Sequence, residues 1–161
     1  LCSQGGACRS IPGLPKADLS FDPSWSPDGR HLAFIVARSW NTSGFMSAAR
    51  YRNWLDSFVL WIANGDGSGA HPLVLRCRGI QCVRGALHGI LHGAADPQWT
   101  WDSRGLLFER NGSLWLVRHL GAFNALPLVG LTSSVSPNLH HPAYQNWYYG
   151  HMNWHDLFAL Y

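Results

Sequence analysis

Nine histidines and four cysteines carry most of the potential chemistry in this chain, and their spacing limits what that chemistry can be. His88 and His92 stand four residues apart, as do His151 and His155 beside Asp156. At that interval two imidazoles share a face on a helix and could hold a metal. The second pair lies where strands are expected, and neither pair encloses the glutamate of a zinc-protease motif, so surface or interface histidines are expected instead. The run Asn64-Gly-Asp-Gly-Ser-Gly69 resembles the opening of a calcium loop, but its twelfth position is Leu75 where a bidentate glutamate is needed. A glycine-rich hairpin turn is the expectation there. No Gly-x-Ser-x-Gly elbow is present to raise a nucleophilic serine. Catalytic residues, metal ligands and cofactors are therefore not expected, and the chain reads as a non-enzyme.

The cysteines fall as two close pairs, Cys2 with Cys8 and Cys77 with Cys82. Four cysteines allow three connectivities, and local pairing closes two small loops. Free thiols and a metal site are the alternatives, the intervals being long for zinc. Disulfides would imply an oxidising compartment, secreted or in the cell envelope. A first residue of Leu rather than Met agrees with a cleaved secretion signal. Two sequons, at Asn41 and Asn111, are candidate glycosylation sites in expected loops.

Composition narrows the partners. The 161 residues suit one domain, and 47% apolar residues suffice for a core. Charged residues make up only 13%, about half the usual share, so sugar or burial in an assembly would help keep the surface soluble. The net charge of +3 is scattered rather than gathered into a basic stripe, which argues against nucleic acid. No stretch is long and apolar enough to span a membrane.

The strongest signal is a repeat. Phe21-Asp-Pro-Ser-Trp-Ser-Pro-Asp-Gly-Arg-His-Leu-Ala-Phe34 returns 74 residues later as Ala95-Asp-Pro-Gln-Trp-Thr-Trp-Asp-Ser-Arg-Gly-Leu-Leu-Phe108. Each Asp-Pro-x-Trp reads as extended, because proline pushes its predecessor toward the β region. Ser26-Pro-Asp-Gly29 reads as a tight turn. Further strands are expected at His31–Val36, Phe58–Asn64, His71–Leu75, Ser113–Val117 and Leu126–Thr132, so each unit is a small four-stranded antiparallel sheet.

Pro23 to Phe34 together with Leu60 to Gly67 resemble the repeat of TolB-like β-propellers, and the resemblance covers roughly Ser20 to Thr132. The second unit departs from that pattern, with Trp101-Asp102-Ser103 in place of Pro-Asp-Gly and a shorter hairpin at Asn111-Gly112. The resemblance implies an all-β fold of antiparallel, four-stranded propeller-type blades, incomplete within one chain. The expected organisation is a single domain over 1–161: an N-terminal strand and loop (1–19), a first blade (20–76) with an insertion (39–57), a cysteine-bearing insertion (77–95), a second blade (96–132), and an incomplete third blade (133–161).

About two and two-thirds blades fall short of the roughly four to eight of closed propellers. One solution is a fragment of a longer propeller. The other pairs an N-terminal strand, Ala7, Cys8, Arg9, Ser10, Ile11 and Pro12, with the edge strand Asp156, Leu157, Phe158, Ala159, Leu160 and Tyr161 of the next copy, giving a ring or filament. Self-association through that strand exchange is the leading expectation. The alternative is a fragment that binds an envelope protein or glycan through its loops, or gates a separate hydrolase. The insertion offers a candidate loop surface, Trp40, Arg50, Tyr51, Arg52 and Trp54, since such side chains dominate binding hot spots.

Overall fold

The structure is a computed structural model that describes residues 6, 8–16, 18–39, 47–75, 89–110, 113–120 and 126–130. The third blade expected over 133–161 and the cysteine-bearing stretch 76–88 lie outside them. Within the described residues the chain is mainly β. Strands β1 (Asp18–Trp25), β2 (His31–Arg38), β3 (Val59–Asn64) and β4 (His71–Pro72) form one antiparallel sheet in sequence order. After the short strands β5 (Val74–Leu75) and β6 (Gly89–Ile90), a second such sheet follows from β7 (Ala94–Trp99), β8 (Leu106–Arg110), β9 (Ser113–Val117) and β10 (Leu126–Gly130). All-β, antiparallel and repeated in fours is what the sequence predicts.

Strand β2 shows why the sheets stack. Its run Leu32–Ala37 is buried throughout, so the strand is covered on both faces rather than alternating between core and water. Ala33, Ile35 and Ala37 join Leu60 and Ile62 of β3 in one cluster with Trp99, Leu106, Phe108 and Val117 of the second sheet. Leu32, Phe34 and Val36 point the other way and gather Ile11 and Leu14 of the N-terminal segment. Burying side chains of this size contributes about 1.5–3 kcal/mol each, making the inter-sheet layer the main source of stability.

Three local features differ from the sequence expectation. The Asp-Pro steps are not plainly extended: Asp22 and Asp96 have φ of 50° and 48°, and the ladder register shifts between Phe21 and Ser24 and again between Ala95 and Gln98. Each is a bulge, tolerated because aspartate enters the left-handed region more readily than most residues. The predicted strand His71–Leu75 divides: β4 pairs with β3, Leu73 still donates its amide to the Leu60 carbonyl at 2.8 Å, and β5 turns to pair with β6. Finally, where the sequence suggests a loop, the first insertion contains helix α1 (Ala48–Leu55). Ser47 caps it by accepting the Arg50 amide at 3.2 Å. Its Trp54 and Leu55 pack on the core beside Phe58, with the Trp54 and Phe58 rings edge to face at 4.7 Å.

One glycine is fixed by close approach rather than by its φ. A Cβ on Gly65 would fall on the Gly29 carbonyl, where the β3–β4 turn crosses the β1–β2 turn and the Gly65 amide bonds the Arg30 carbonyl at 2.7 Å. Both partners are backbone and neither can swing aside. Gly65→Ala is expected to cost about 2–3 kcal/mol by separating the two turns. Thermal unfolding checks it, and a melting point equal to the parent's would contradict the contact.

Candidate functional site

The joint between the two sheets is built from the repeated motif. In the first turn the Ser26 hydroxyl donates to Asp28 Oδ1 at 2.6 Å and accepts the His31 amide at 2.9 Å, while Asp28 Oδ1 also accepts the Arg30 amide at 3.0 Å. The second turn repeats this with Thr100, Asp102, Arg104 and Gly105: 2.6 Å from hydroxyl to carboxylate, 2.8 Å from the Gly105 amide to the hydroxyl, and 3.0 Å from the Arg104 amide to Asp102. The departure at Trp101-Asp102-Ser103 thus leaves the turn intact, with Ser103 at φ 60° standing where the first copy has Gly29 at φ 70°. The hydroxyls of Ser26 and Thr100, followed by the backbone amides, hold the Asp28 and Asp102 carboxyls below the usual carboxylate range.

These turns meet each other. The Asp28 amide donates to Ser103 Oγ at 3.0 Å. Trp99 donates its indole N–H to the Ser24 carbonyl at 2.9 Å and stacks on His31 with ring centroids 5.6 Å apart. The second unit therefore seats a tryptophan on the first unit's bulge and turn. Trp25, the same residue of the first unit, is 47% exposed, whereas Trp99 is 4% exposed.

A groove of about 540 Å³ opens on the same outer side of the first sheet. Trp61, Val36 and Ile90 give it an apolar wall, and Asp18, Asp56, Arg38 and His92 bring charge and hydrogen-bonding groups to it. An aromatic wall beside carboxylates and a guanidinium is suited to hydroxyl-rich or peptide ligands.

Three acidic residues that the sequence reading did not single out come together near the joint. Asp96 and Glu109 are buried, and Asp22 lies close to them. Burial first, then the charges of Asp22 and Glu109, push the Asp96 carboxyl up to about 8. The available signal was an Asp before Pro in both copies and a Glu inside the apolar strand Leu-Leu-Phe-Glu-Arg. Among the described residues no group of three or more His, Cys, Asp or Glu is arranged to hold a metal ion.

The residues singled out from sequence are scattered. Of the N-terminal strand, Ala7 lies outside the described residues, Cys8 makes a single bridge, and Arg9 to Pro12 belong to no strand. Ile11 packs on the outer face of the first sheet, and Arg9 Nη2 donates to the Asp66 carbonyl at 2.7 Å. Cys8 is disulfide-bonded, its partner lying outside the described residues, as do Cys2, Cys77 and Cys82. Asp156 to Tyr161, Asn41, Asn111, Trp40, His88, His151 and His155 are likewise outside. In the insertion, Arg50 is exposed on α1, which also carries Tyr51 and Arg52, but Trp54 is partly buried and donates Nε1 to the Arg38 carbonyl at 3.0 Å. That ring braces the helix rather than facing a ligand.

His92 makes an isolated bridge to Val59, and its carbonyl accepts Arg110 Nε at 2.7 Å. In the Asn64–Gly69 turn, Asp66 accepts the Ser68 amide at 2.9 Å and Asn64 Nδ2 donates to Ser68 Oγ at 2.9 Å, as in a hairpin turn. Among the described residues no helix is long and apolar enough to cross a membrane. No protein-family model matches the chain, and no curated protein matches it.

Proposed function

We propose that the chain is a non-enzymatic, propeller-type module of the cell exterior or envelope whose function is to join further copies of itself. One observation carries the reading: the two sheets stack face to face through a joint made from the repeated motif, Trp99 seated on Ser24 and His31. A unit that joins to its like within a chain has the means to do so between chains. In that joining Ala7–Pro12 of one copy, whose described residues Arg9–Pro12 lie outside any strand in the single chain, would leave the first sheet and pair as a strand with Asp156–Tyr161 of the next. Head-to-tail exchange produces rings when the rotation closes and filaments when it does not. The disulfide at Cys8 fits an oxidising compartment, secreted or in the envelope.

Negative-stain electron microscopy of the oxidised chain at micromolar concentration tests this. Rings or fibres are expected from the full chain, and none from a chain lacking residues 1–12. Small isolated particles from the full chain, or assembly that survives the deletion, would reject strand exchange.

The groove at Trp61 favours a second reading, in which the module is a blade pair of a larger propeller that binds a glycan or an envelope protein. Quenching of tryptophan emission by added oligosaccharide, lost in Trp61→Ala, is the outcome that reading requires.

A further inference from the structure

The outer face of the first sheet is covered at one end and open at the other. Near the β3–β4 turn the N-terminal segment lies on it: Ile11 and Leu14 pack with Leu32, Phe34 and Ala63, and Arg9 Nη2 donates to the Asp66 carbonyl. At the opposite end of the strands the groove of about 540 Å³ remains, a volume suited to a small molecule. Every residue lining it is among the described ones.

The groove has a charged end and an apolar end. Asp18 and Arg38 are register partners in β1 and β2, so their side chains leave the same face of the sheet from Cα atoms about 4.5–5.5 Å apart. Asp56 flanks Arg38 on the other side, because the hydroxyl of its neighbour Ser57 accepts the Arg38 amide at 3.2 Å. A guanidinium thus stands between two carboxylates. Opposite charges facing each other across two strands commonly pair, yet among the described residues the side chains of Asp18, Arg38 and Asp56 make no ion pair or hydrogen bond. At the apolar end are Trp61, its register partner Pro72, and Ile90, which is 45% exposed. Arg38 lies four residues along β2 from Phe34, the register partner of Trp61, which sets the two ends about 13 Å apart.

We infer that this groove binds a short apolar peptide as its zwitterion, dipeptide in length: Arg38 holds the carboxylate, an aspartate beside it holds the ammonium, and an apolar side chain lies against Trp61. A guanidinium matches a carboxylate with two parallel hydrogen bonds. The alternation of negative, positive and negative groups is complemented by a ligand that carries both signs. An anionic glycan would meet two carboxylates, a polyamine would meet the guanidinium, and a neutral sugar offers no charge to any of the three. The span of the groove suits a dipeptide with a large side chain better than a single amino acid. The inference rests on the reading in which the module binds ligands at the Trp61 groove, and it does not need self-association.

Isothermal titration calorimetry of the oxidised full chain with leucyl-phenylalanine tests it. Saturable heat is expected at millimolar concentration or below. The amide of the dipeptide lacks the carboxylate and its N-acetyl form lacks the ammonium, and each is expected to bind about tenfold or more weakly. In Arg38→Gln the preference for the free acid over the amide should vanish while the preference for the free amine persists. Asp18→Asn combined with Asp56→Asn should do the converse. Each readout is a ratio within one variant, which a general loss of stability does not change, and Arg38→Gln leaves the main-chain bond to Ser57 in place. No saturable heat from the dipeptide, equal affinity for its three forms, or discrimination that survives in both variants overturns the inference. So does phenylalanine that binds as tightly as the dipeptide. Cellotriose heat lost in Trp61→Ala, with none from the dipeptide, would keep the glycan reading and overturn this one. Charge-selective dipeptide binding with no heat from cellotriose would support this inference and take the glycan out of that reading.

Discussion

Trp99→Ala is expected to lose about 3–5 kcal/mol of stability, a large share of the roughly 5–15 kcal/mol typical of a folded domain. The side chain is 4% exposed and lies in the layer where the two sheets meet. Truncation removes its apolar area, leaves a cavity between two sheets that cannot both relax into it, and strips the Ser24 carbonyl of its indole donor. The stacking partner His31 loses its platform as well. Trp25→Ala provides the internal control: the same residue in the same motif, but half exposed, expected to cost under about 1 kcal/mol. Trp99→Phe keeps most of the ring and loses the donor, and should fall between, at about 1–2 kcal/mol. Urea unfolding followed by far-ultraviolet circular dichroism reads all three. Equal losses at the two tryptophans would mean that the inter-sheet joint is not what holds the units together.

The contrast between those tryptophans also marks how far the sequence could be read. Periodicity and turn chemistry are local properties, and the strands β1, β2, β3, β7, β8, β9 and β10 follow the expectation drawn from the repeat. Trp25 and Trp99 sit in nearly the same local sequence and differ tenfold in exposure because one has a sheet beneath it, a fact no local pattern contains. The left-handed Asp22 and Asp96 were hidden for a different reason. Proline disfavours the helical region for its predecessor and so suggests extended backbone, yet both copies bulge there, beside the half-exposed Trp25 as beside the buried Trp99. Helix α1 was masked by its shortness and by arginines among its few apolar residues, and it is fixed from outside by Trp54 and Leu55 on the core. The candidate loop surface lost Trp54 to that packing. The buried Glu109 gave least warning, since the Glu-Arg ending of an apolar strand usually lies at a surface.

Those buried carboxylates lead to a second large effect, Asp96→Asn. Asp96 is 5% exposed, and its Oδ2 has no hydrogen-bond partner among the described residues. Burial first, then the negative charges of Asp22 and Glu109, push its carboxyl up to about 8. An unfolded aspartate titrates near about 3.9. Between about pH 4 and pH 8 the native state therefore holds a proton that the unfolded state has released, and stability falls as pH rises through that window and levels off above it. The slope from this one group is about 1.4 kcal/mol per pH unit, and its accumulated cost at pH 8 is on the order of 5 kcal/mol. Asparagine has the same shape, carries no charge, and tolerates the left-handed backbone that Asp96 adopts at φ 48°. The variant is expected to match the parent near pH 4 and to exceed it increasingly toward pH 8. Melting points taken across that range give the comparison. Parallel curves would show that Asp96 is ionised in the folded chain, and its negative charge would then have to be balanced within the joint.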